Sequence, residues 1–370
     1  SVKTRLDLDA DLHFDSGWKS RLTGHAFYDA AYTLKARADY PAGFLDSYES
    51  EVEIDEAFAE VPLASGFDVR VGRQIVVWGK ADTLRVTDVL NPLDLRLPGR
   101  IDLDELRLPV TMSKLEHHRG PWTLSATVVH EPRYNKTAVP GSDFFALNIA
   151  LPPEQKPSRT FDNQEIGLAL DGVFNGWDLA LYAADFFDDQ PHVALDGSTL
   201  VRKHSRLRML GLAVDLASGN WLWKTEAAYT AGFEFGGAPG EQFDRLDALI
   251  GVEFSGLTDT TISLEAVNRR LLDFDERLSE APEDGRPTDF QSALRVNRRF
   301  LNETLDLTFL ALTHGLDGSN GAVQRLQASY DFNDSLTVTG GLINYLNGDK
   351  LGFSTVGDND RLFAEFVFHF

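Results

Sequence analysis

Apolar and polar residues alternate one for one along the start of the chain. Val2, Thr4, Leu6, Leu8, Ala10, Leu12 and Phe14 fall on one face, and Lys3, Arg5, Asp7, Asp9, Asp11 and His13 on the other. A period of two is that of a β-strand with one apolar and one charged face. Half-buried strands of soluble sheets run about five or six residues, whereas a strand that crosses a bilayer needs about 9–11. The length of this first strand points to the membrane.

The same pattern returns along the chain. Leu22, Gly24, Ala26, Tyr28, Ala30 and Tyr32 form one outward face, and Ile166, Leu168 and Leu170 begin another. Leu246, Ala248, Ile250, Val252 and Phe254 alternate with Asp247, Gly251 and Glu253. Leu336, Val338, Gly340 and Leu342 follow, and Leu362, Ala364, Phe366, Phe368 and Phe370 close the chain. The connections sort by length. Short turns are expected at Asp15–Gly17, His118–Pro121, Asn175–Gly176, Ser218–Asn220, Ser255–Gly256 and Asn333–Asp334. Long loops are expected near 37–47, 80–105, 132–161, 188–204, 234–242, 272–288, 314–321 and 347–359. A meander with short turns at one end and long loops at the other is the layout of an outer-membrane barrel.

Aromatic residues mark the short-turn end. Trp18, Trp122, Trp177 and Trp221 follow short turns, and Phe14, Phe174, Phe254 and Phe332 precede them, with Phe370 at the same level. Such a girdle belongs at a membrane interface, here the periplasmic one. The sequence therefore predicts an all-β, antiparallel, up-and-down transmembrane barrel occupying residues 1–370 as a single domain. The pattern yields about 17 strands. An odd number leaves the first and last strands running in the same direction. A missing strand before Ser1, giving 18, is the favoured resolution, and 16 is the next choice. The chain opens inside a patterned segment with no signal peptide, as a mature or trimmed form would.

Composition narrows the function. The 370 residues contain no Cys, so disulfides and thiolate metal sites are excluded. No apolar run approaches the roughly 20 residues of a spanning helix. The net charge of -22 argues against nucleic acid as a partner. Charges recur on the inward parity: Arg5, Asp7, Asp9, Arg21, His25, Asp29, Glu51, Glu53 and Asp55 on the first strands. Glu165, Asp171, Lys224, Glu226, Glu253, Glu265, Arg295, Arg325 and Glu365 follow on later ones. A barrel of this size leaves an aqueous bore unless something plugs it.

Residues 67–112 differ from the rest. Arg73, Lys80, Asp82, Arg85, Asp88, Asn91, Asp94, Arg96, Arg100, Asp102, Asp104, Glu105 and Arg107 interleave with Leu84, Val86, Leu90, Leu93, Leu97, Ile101 and Leu103. A loop this apolar is expected to fold into the lumen and narrow it. Its charges of both signs would form a polar filter or a salt-bridge network that holds the loop down. Asp185, Asp188 and Asp189, or Asp273, Asp275 and Glu276, offer oxygen ligands for calcium but lack the spacing of a dedicated loop. No phosphate-binding motif is present, and no cofactor is expected. An enzyme would need a His with a nucleophile or paired carboxylates near the outer rim. Of the nine His, only His117 and His118 are adjacent, and they precede a periplasmic turn.

The chain shows Gly72-Arg73-Gln74, Trp78-Gly79, Asp88-Val89-Leu90-Asn91-Pro92 with Asp94, and Arg107-Leu108-Pro109-Val110. In this it resembles a large family of proteobacterial outer-membrane proteins known only as a domain of unknown function. The resemblance covers roughly the first 160 residues. It implies a porin-like barrel, usually with one more strand upstream. It also implies an association with efflux systems of the resistance-nodulation-division class, and so with hydrophobic or amphipathic cargo. Three readings follow: a channel for small solutes or amphipathic molecules gated by residues 80–105; a plugged barrel that partners an efflux or lipid-trafficking system; and, as a minor alternative, a barrel enzyme. The expected partners are outer-membrane lipid and lipopolysaccharide, a small solute, and a periplasmic or efflux protein.

Overall fold

The computed structural model describes residues 1–35, 37–63, 66–145, 151–279 and 285–370. Parts of the expected loops at 132–161 and 272–288 lie outside these residues. The strands, in chain order, are β1 (Lys3–His13), β2 (Lys19–Asp29), β3 (Ser50–Pro62), β4 (Phe67–Gln74), β5 (Val110–Arg119), β6 (Trp122–Val129), β7 (Glu154–Gln155), β8 (Glu165–Phe174), β9 (Trp177–Phe187) and β10 (His192–Asp196). They continue with β11 (Thr199–Lys203), β12 (Arg206–Ser218), β13 (Trp221–Phe233), β14 (Phe243–Leu257), β15 (Thr260–Leu271), β16 (Thr288–Phe300), β17 (Leu305–His314), β18 (Gly321–Asn333), β19 (Leu336–Leu346) and β20 (Arg361–Phe368).

Seventeen strands form one sheet, and β7, β10 and β11 form a second, three-stranded one. In the large sheet each strand pairs antiparallel with its neighbour in the chain, from β1 to β20. β1 and β20 consequently run in the same direction, and no ladder joins them among the described residues. Arg5 on β1 and Glu365 on β20 both lie within electrostatic reach of Glu105, so the sheet curls until its two edges flank one residue.

Register assigns the faces. Leu8, Gly24 and Ile54 are aligned across β1–β3, as are Ala126, Leu168 and Ala183 across β6, β8 and β9. Large apolar side chains on this parity are exposed on the outside: Leu8, Leu168, Leu181, Leu246 and Ile250 are each more than 40 % accessible. That is the inversion a bilayer demands. Replacing Leu168 or Ile250, both on strands paired on each side, by Arg is expected to cost about 2–4 kcal/mol at mid-membrane. Loss of the folded, heat-modifiable band on a gel would report it, whereas wild-type assembly would contradict this register.

In the large sheet the shortest connections lie at one end. The turns expected at 15–17, 118–121, 175–176, 218–220 and 333–334 are present within a residue or two. The turn expected at Ser255–Gly256 is displaced: β14 continues to Leu257 and the chain reverses at Thr258–Asp259, with Asp259 at φ 53. Gly256 is instead a strand residue packed under the Phe254 ring. A further short connection, 301–304, was not legible as a turn because it carries no Gly-Asn or Asn-Gly signal of the usual kind. The aromatic girdle sits at this end. Trp122 packs edge-on to Phe174 at 5.2 Å, Phe174 stacks on Trp177 at 4.3 Å, and Trp221 meets Phe254 at 4.4 Å. Phe14, Trp18, Phe332 and Phe370 are outward and exposed.

The expected loop 188–204 contains the β10–β11 hairpin, closed at Asp196-Gly197 with Gly197 at φ +63. An Asp-Gly pair between alternating residues is a hairpin signal. β7 adds to β11 in parallel, tying the loop after β6 to the loop after β9.

Candidate functional site

The chain leaves the wall at Gln74 and returns at Val110. Between them residues 75–109 run through the interior of the barrel. Their apolar side chains Val76, Trp78, Leu84, Val86 and Leu90 are buried in one cluster with wall residues Met112, Val129, Ala169, Ala180, Tyr182, Met209, Ala213, Ala228, Leu249 and Val267. Many inward positions of the wall between β5 and β15 are therefore small or apolar where the segment lies against them. Gly167 and Gly211 belong to the same surface: a Cβ on Gly167 would come within 2.8 Å of the Trp78 ring, and one on Gly211 within 2.8 Å of Thr87.

Two wall carboxylates hold the segment by its backbone. Glu226 on β13 accepts from the amides of Lys80 (2.6 Å), Ala81 (2.8 Å) and Thr87 (3.2 Å) and from the Thr87 hydroxyl (2.8 Å). Glu265 on β15 accepts from the amides of Asp82 (2.6 Å), Thr83 (3.1 Å) and Leu84 (2.9 Å). Glu226 is 3 % and Glu265 1 % exposed. A tight turn of the segment thus finds its hydrogen-bond partners in the wall, as buried backbone donors must.

The sequence elements singled out above form the neck of this segment. Gly72 has φ +133, and a Cβ there would collide with the Ala57 carbonyl. Gln74 is fully buried, and its amide donates to the Met112 carbonyl at 3.2 Å. Trp78 stacks on Tyr182 at 4.9 Å, and the amide of Gly79 (φ +86) donates to the Tyr182 hydroxyl at 3.1 Å. The Asn91 side chain, with no exposure, accepts from the Val76 amide at 2.8 Å and donates to the Leu108 carbonyl at 2.9 Å. Asp88 accepts from Arg107 at 2.8 Å and from the Trp78 amide at 3.3 Å, and Arg85 donates to the Asp88 and Asn91 carbonyls. Asp88, Asn91 and Arg107 were expected to line a constriction. They are instead buried, at 5 %, 0 % and 5 % exposure, and their polar groups are spent inside the segment. This corrects the expectation: they clamp the neck. Asn91→Ala is expected to leave the Val76 amide and the Leu108 carbonyl short of partners, at about 1–3 kcal/mol each. A lowered midpoint of thermal unfolding checks it, and an unchanged midpoint would show the clamp to be dispensable.

The remaining charges of the segment fall into two groups. Lys80 and Asp82 lie toward the short-turn end, where Lys80 approaches Asp178 at 3.6 Å and Asp82 pairs with Lys224 at 2.5 Å. Asp94, Arg96, Arg100, Asp102, Asp104 and Glu105 turn to the other side of the barrel. Arg96 binds Asp94 at 2.9 Å and Glu51 at 3.0 Å. Arg100 binds Glu365 at 2.8 Å, and Asp102 accepts from Arg295 at 2.7 Å and from Arg325. Asp104 accepts from Arg107 and is otherwise exposed. Arg73, at the neck, reaches Glu53 at 2.8 Å. Of the inward residues on later strands, Lys224, Glu226, Glu265, Arg295, Arg325 and Glu365 touch the segment. Glu165 instead accepts from the Phe187 amide at 2.9 Å.

On the first strands, Arg21 bonds Asp11 at 3.1 Å, Arg5 bonds Asp7 at 2.8 Å, and Asp29 accepts from the Val2 amide at 2.7 Å. Asp9 lies 3.6 Å from Arg21. His25 lies between Asp55 (2.8 Å) and Glu51 (3.2 Å). His25, Glu51 and Glu53 could together surround a cation, but Lys136 at 3.1 and 2.6 Å, with Arg96 and Arg133, already neutralises the two carboxylates. Of the acidic residues considered for calcium, Asp185 lies on β9 rather than in a loop and binds Arg206 and Arg208, and Asp275 binds Arg277.

A meander curled until its two edges flank one residue, with apolar residues outside, a girdle at the short-turn end and an inserted segment, defines a bacterial outer-membrane β-barrel of the porin type. Solved porins share the architecture. A BenF-like porin from Pseudomonas fluorescens Pf-5 is 13 % identical, with a TM-score of 0.55 over 99 % of this chain and 91 % of its own. OccAB2 of Acinetobacter baumannii is 12 % identical, with 0.52 over 98 % and 92 %. OccK2 (OpdF) of Pseudomonas aeruginosa, in complex with glucuronate, is 14 % identical, with 0.50 over 100 % and 92 %. Residues 1–370 match the family described as protein of unknown function (DUF1302), and the chain belongs to it. No curated protein matches it.

Proposed function

We propose that residues 1–370 form a single-domain, porin-like channel that passes small polar solutes and is narrowed by residues 80–105. The observation that carries this reading is the two-sidedness of the segment. Its apolar side is sunk into the β5–β15 wall, and its charged side, Arg96, Arg100, Asp102 and Glu105, meets charges of β3, β16, β18 and β20. Fixed charges of both signs across a narrow passage select by size and by dipole. Because glucuronate is bound in the OccK2 structure, a small sugar acid is the first solute to test. Proteoliposomes are expected to swell in glucose and glucuronate and to exclude a trisaccharide. Failure to swell in any of them would sink the proposal.

A second reading draws on the depth of packing. Val76, Trp78, Leu84, Val86 and Leu90 are all below 9 % exposure, so the segment does not swing out at low cost. A barrel plugged at rest, opened by an efflux or lipid-trafficking partner or by contact with outer-membrane lipid or lipopolysaccharide, has the same geometry. It is distinguished by absent swelling until the segment is removed.

The charged side makes selectivity depend on pH. Partial loss of solvent around its carboxylate, reinforced by Asp102, raises the pKa of Glu105. Burial alone would raise Asp102 too, but Arg325 and Arg295 outweigh it and hold its pKa down. As pH falls, Glu105 therefore takes up its proton first, above the ordinary carboxylate range of about 4.3, while Asp102 stays ionised. Cation preference, read as a reversal potential, is expected to weaken over that window and to be flatter in Glu105→Gln. An identical pH profile in the variant would remove Glu105 from the passage.

A further inference from the structure

The wall is incomplete at β3. β2 pairs with β3 from Ser50 to Glu60, whereas β4 pairs only with Ala57–Pro62. On the β4 side, Ser50–Glu56 have no ladder partner among the described residues, which leaves about 20 Å of bare strand edge. The cause is local: after Gln74 the chain turns into the bore, where Val76 and Trp78 are buried, and it rejoins the wall only at Val110. The register Leu8–Gly24–Ile54 puts Ile54 level with the middle of β1. The bare edge therefore lies within the depth of the bilayer, in the half farther from the short turns. Val52 and Ile54 point outward there, 86 % and 59 % exposed.

Lipid offers no partners to backbone N–H and C=O groups. A bare edge at membrane depth is stable only where it borders protein or water. Behind this edge lies a cavity of about 1110 Å³, which runs from Glu51 on β3 to Glu131 and Arg133 beyond the end of β6. Arg96, Arg133, Lys136, Lys156, Arg159 and Arg202 line it against four carboxylates. The chain as a whole has 57 acidic and 35 basic residues, so bases are enriched in this lining, although Glu53 and Asp94 beside it pair with Arg133, Lys136 and Arg96. Lys156 and Arg159 pair with Glu154 at 3.3 Å and Glu131 at 3.1 Å and still present 60 % and 71 % of their side chains to solvent. Phe145 and Leu151 add apolar surface to the same lining.

We propose that the gap between β3 and β6 is a side port. It admits the carboxylate head of a single-chain amphiphile into the cationic cavity while the tail stays in the bilayer along Val52 and Ile54. The port needs no conduction along the barrel axis, so it stands or falls separately from the channel reading.

The chain has no Cys, so single cysteines report cleanly. Val52→Cys, Ile54→Cys and the control Ile250→Cys, which lies on a strand paired on both sides, are placed in proteoliposomes. Each is treated with a charged, membrane-impermeant maleimide, with sodium laurate below its micelle concentration or with sodium acetate. Folding is verified by heat-modifiability. Labelling at positions 52 and 54 is expected to be about tenfold faster than at 250, because water that enters the gap to solvate the bare backbone edge reaches these flanking positions while no tail covers them. Laurate is expected to slow it about threefold and acetate to leave it unchanged, since only laurate joins charge attraction to apolar burial. Lys156→Gln with Arg159→Gln, both at exposed positions, should remove most of the laurate effect. Labelling at 52 and 54 as slow as at 250 would overturn the port. Fast labelling that laurate does not slow, or that acetate slows equally, would overturn the amphiphile site.

Discussion

Replacing residues 82–105 by a short Gly–Ser linker raises single-channel conductance several-fold and flattens ion selectivity. The expectation follows from what the segment occupies. Its apolar half fills the space in front of the β5–β15 wall, and Arg100, Asp102 and Glu105 cross toward β16, β18 and β20. Removing it deletes both the obstruction and the facing charges. The ladder itself remains, because the pairs Gln74–Val110 and Arg73–Thr111 lie outside the deletion. The bare wall would expose Met112, Tyr182, Met209 and Leu249 to water, so the variant is expected to fold with reduced thermal stability. Unchanged conductance in a folded variant would place the segment outside the path of ions.

The second large effect comes from Glu226→Ala combined with Glu265→Ala. These changes remove no residue of the segment, yet they strip the partners from six of its amides: Lys80, Ala81, Asp82, Thr83, Leu84 and Thr87. A buried donor left unpaired costs about 1–3 kcal/mol, and water entering the bore recovers part of this. The turn at 79–88 is expected to detach while the strands stay paired. Current traces should then become noisy and higher in mean, and trypsin should cut after Lys80 or Arg85 in a barrel that resists it elsewhere. Glutamine at both sites keeps one acceptor oxygen each and is expected to fall between the two. Quiet currents and an intact segment in the alanine variant would show that apolar packing alone holds it.

The sequence carried much of this fold, for a physical reason. In a membrane barrel the side-chain period, the length of the strands and the aromatic girdle are set by the bilayer itself. Val2 to Phe14 therefore reads as a crossing strand without any tertiary information, and among the described residues the expected long loops fall where the chain leaves the wall. What failed was local. Gly256 looked like a turn residue but accommodates the Phe254 ring in a strand, and the Asp196-Gly197 hairpin was hidden inside a loop.

The site was legible only in part. Alternation placed Glu226 and Glu265 on the inner face, but nothing in their own strands says that they will meet backbone amides of a segment 139 to 183 residues away. The charges of 73–107 all looked alike in sequence. Burial separates them: Asp88, Asn91 and Arg107 clamp the neck, whereas Arg100, Asp102 and Glu105 face across the bore. That division depends on which side of the segment meets an apolar wall, and it arises from the alanines, glycines and Met209 of β8–β13 rather than from the segment. The missing partner of Ser50–Glu56 was likewise invisible, because an even alternation along β3 says nothing about how far β4 accompanies it.

The most direct test of the account is the single-channel conductance of the intact protein in planar bilayers. Steady, small openings, with a selectivity that shifts on acidification and is altered by Glu105→Gln, are the predicted result. Silent bilayers from correctly folded protein would contradict a channel narrowed by residues 80–105 and leave a barrel that its own segment closes.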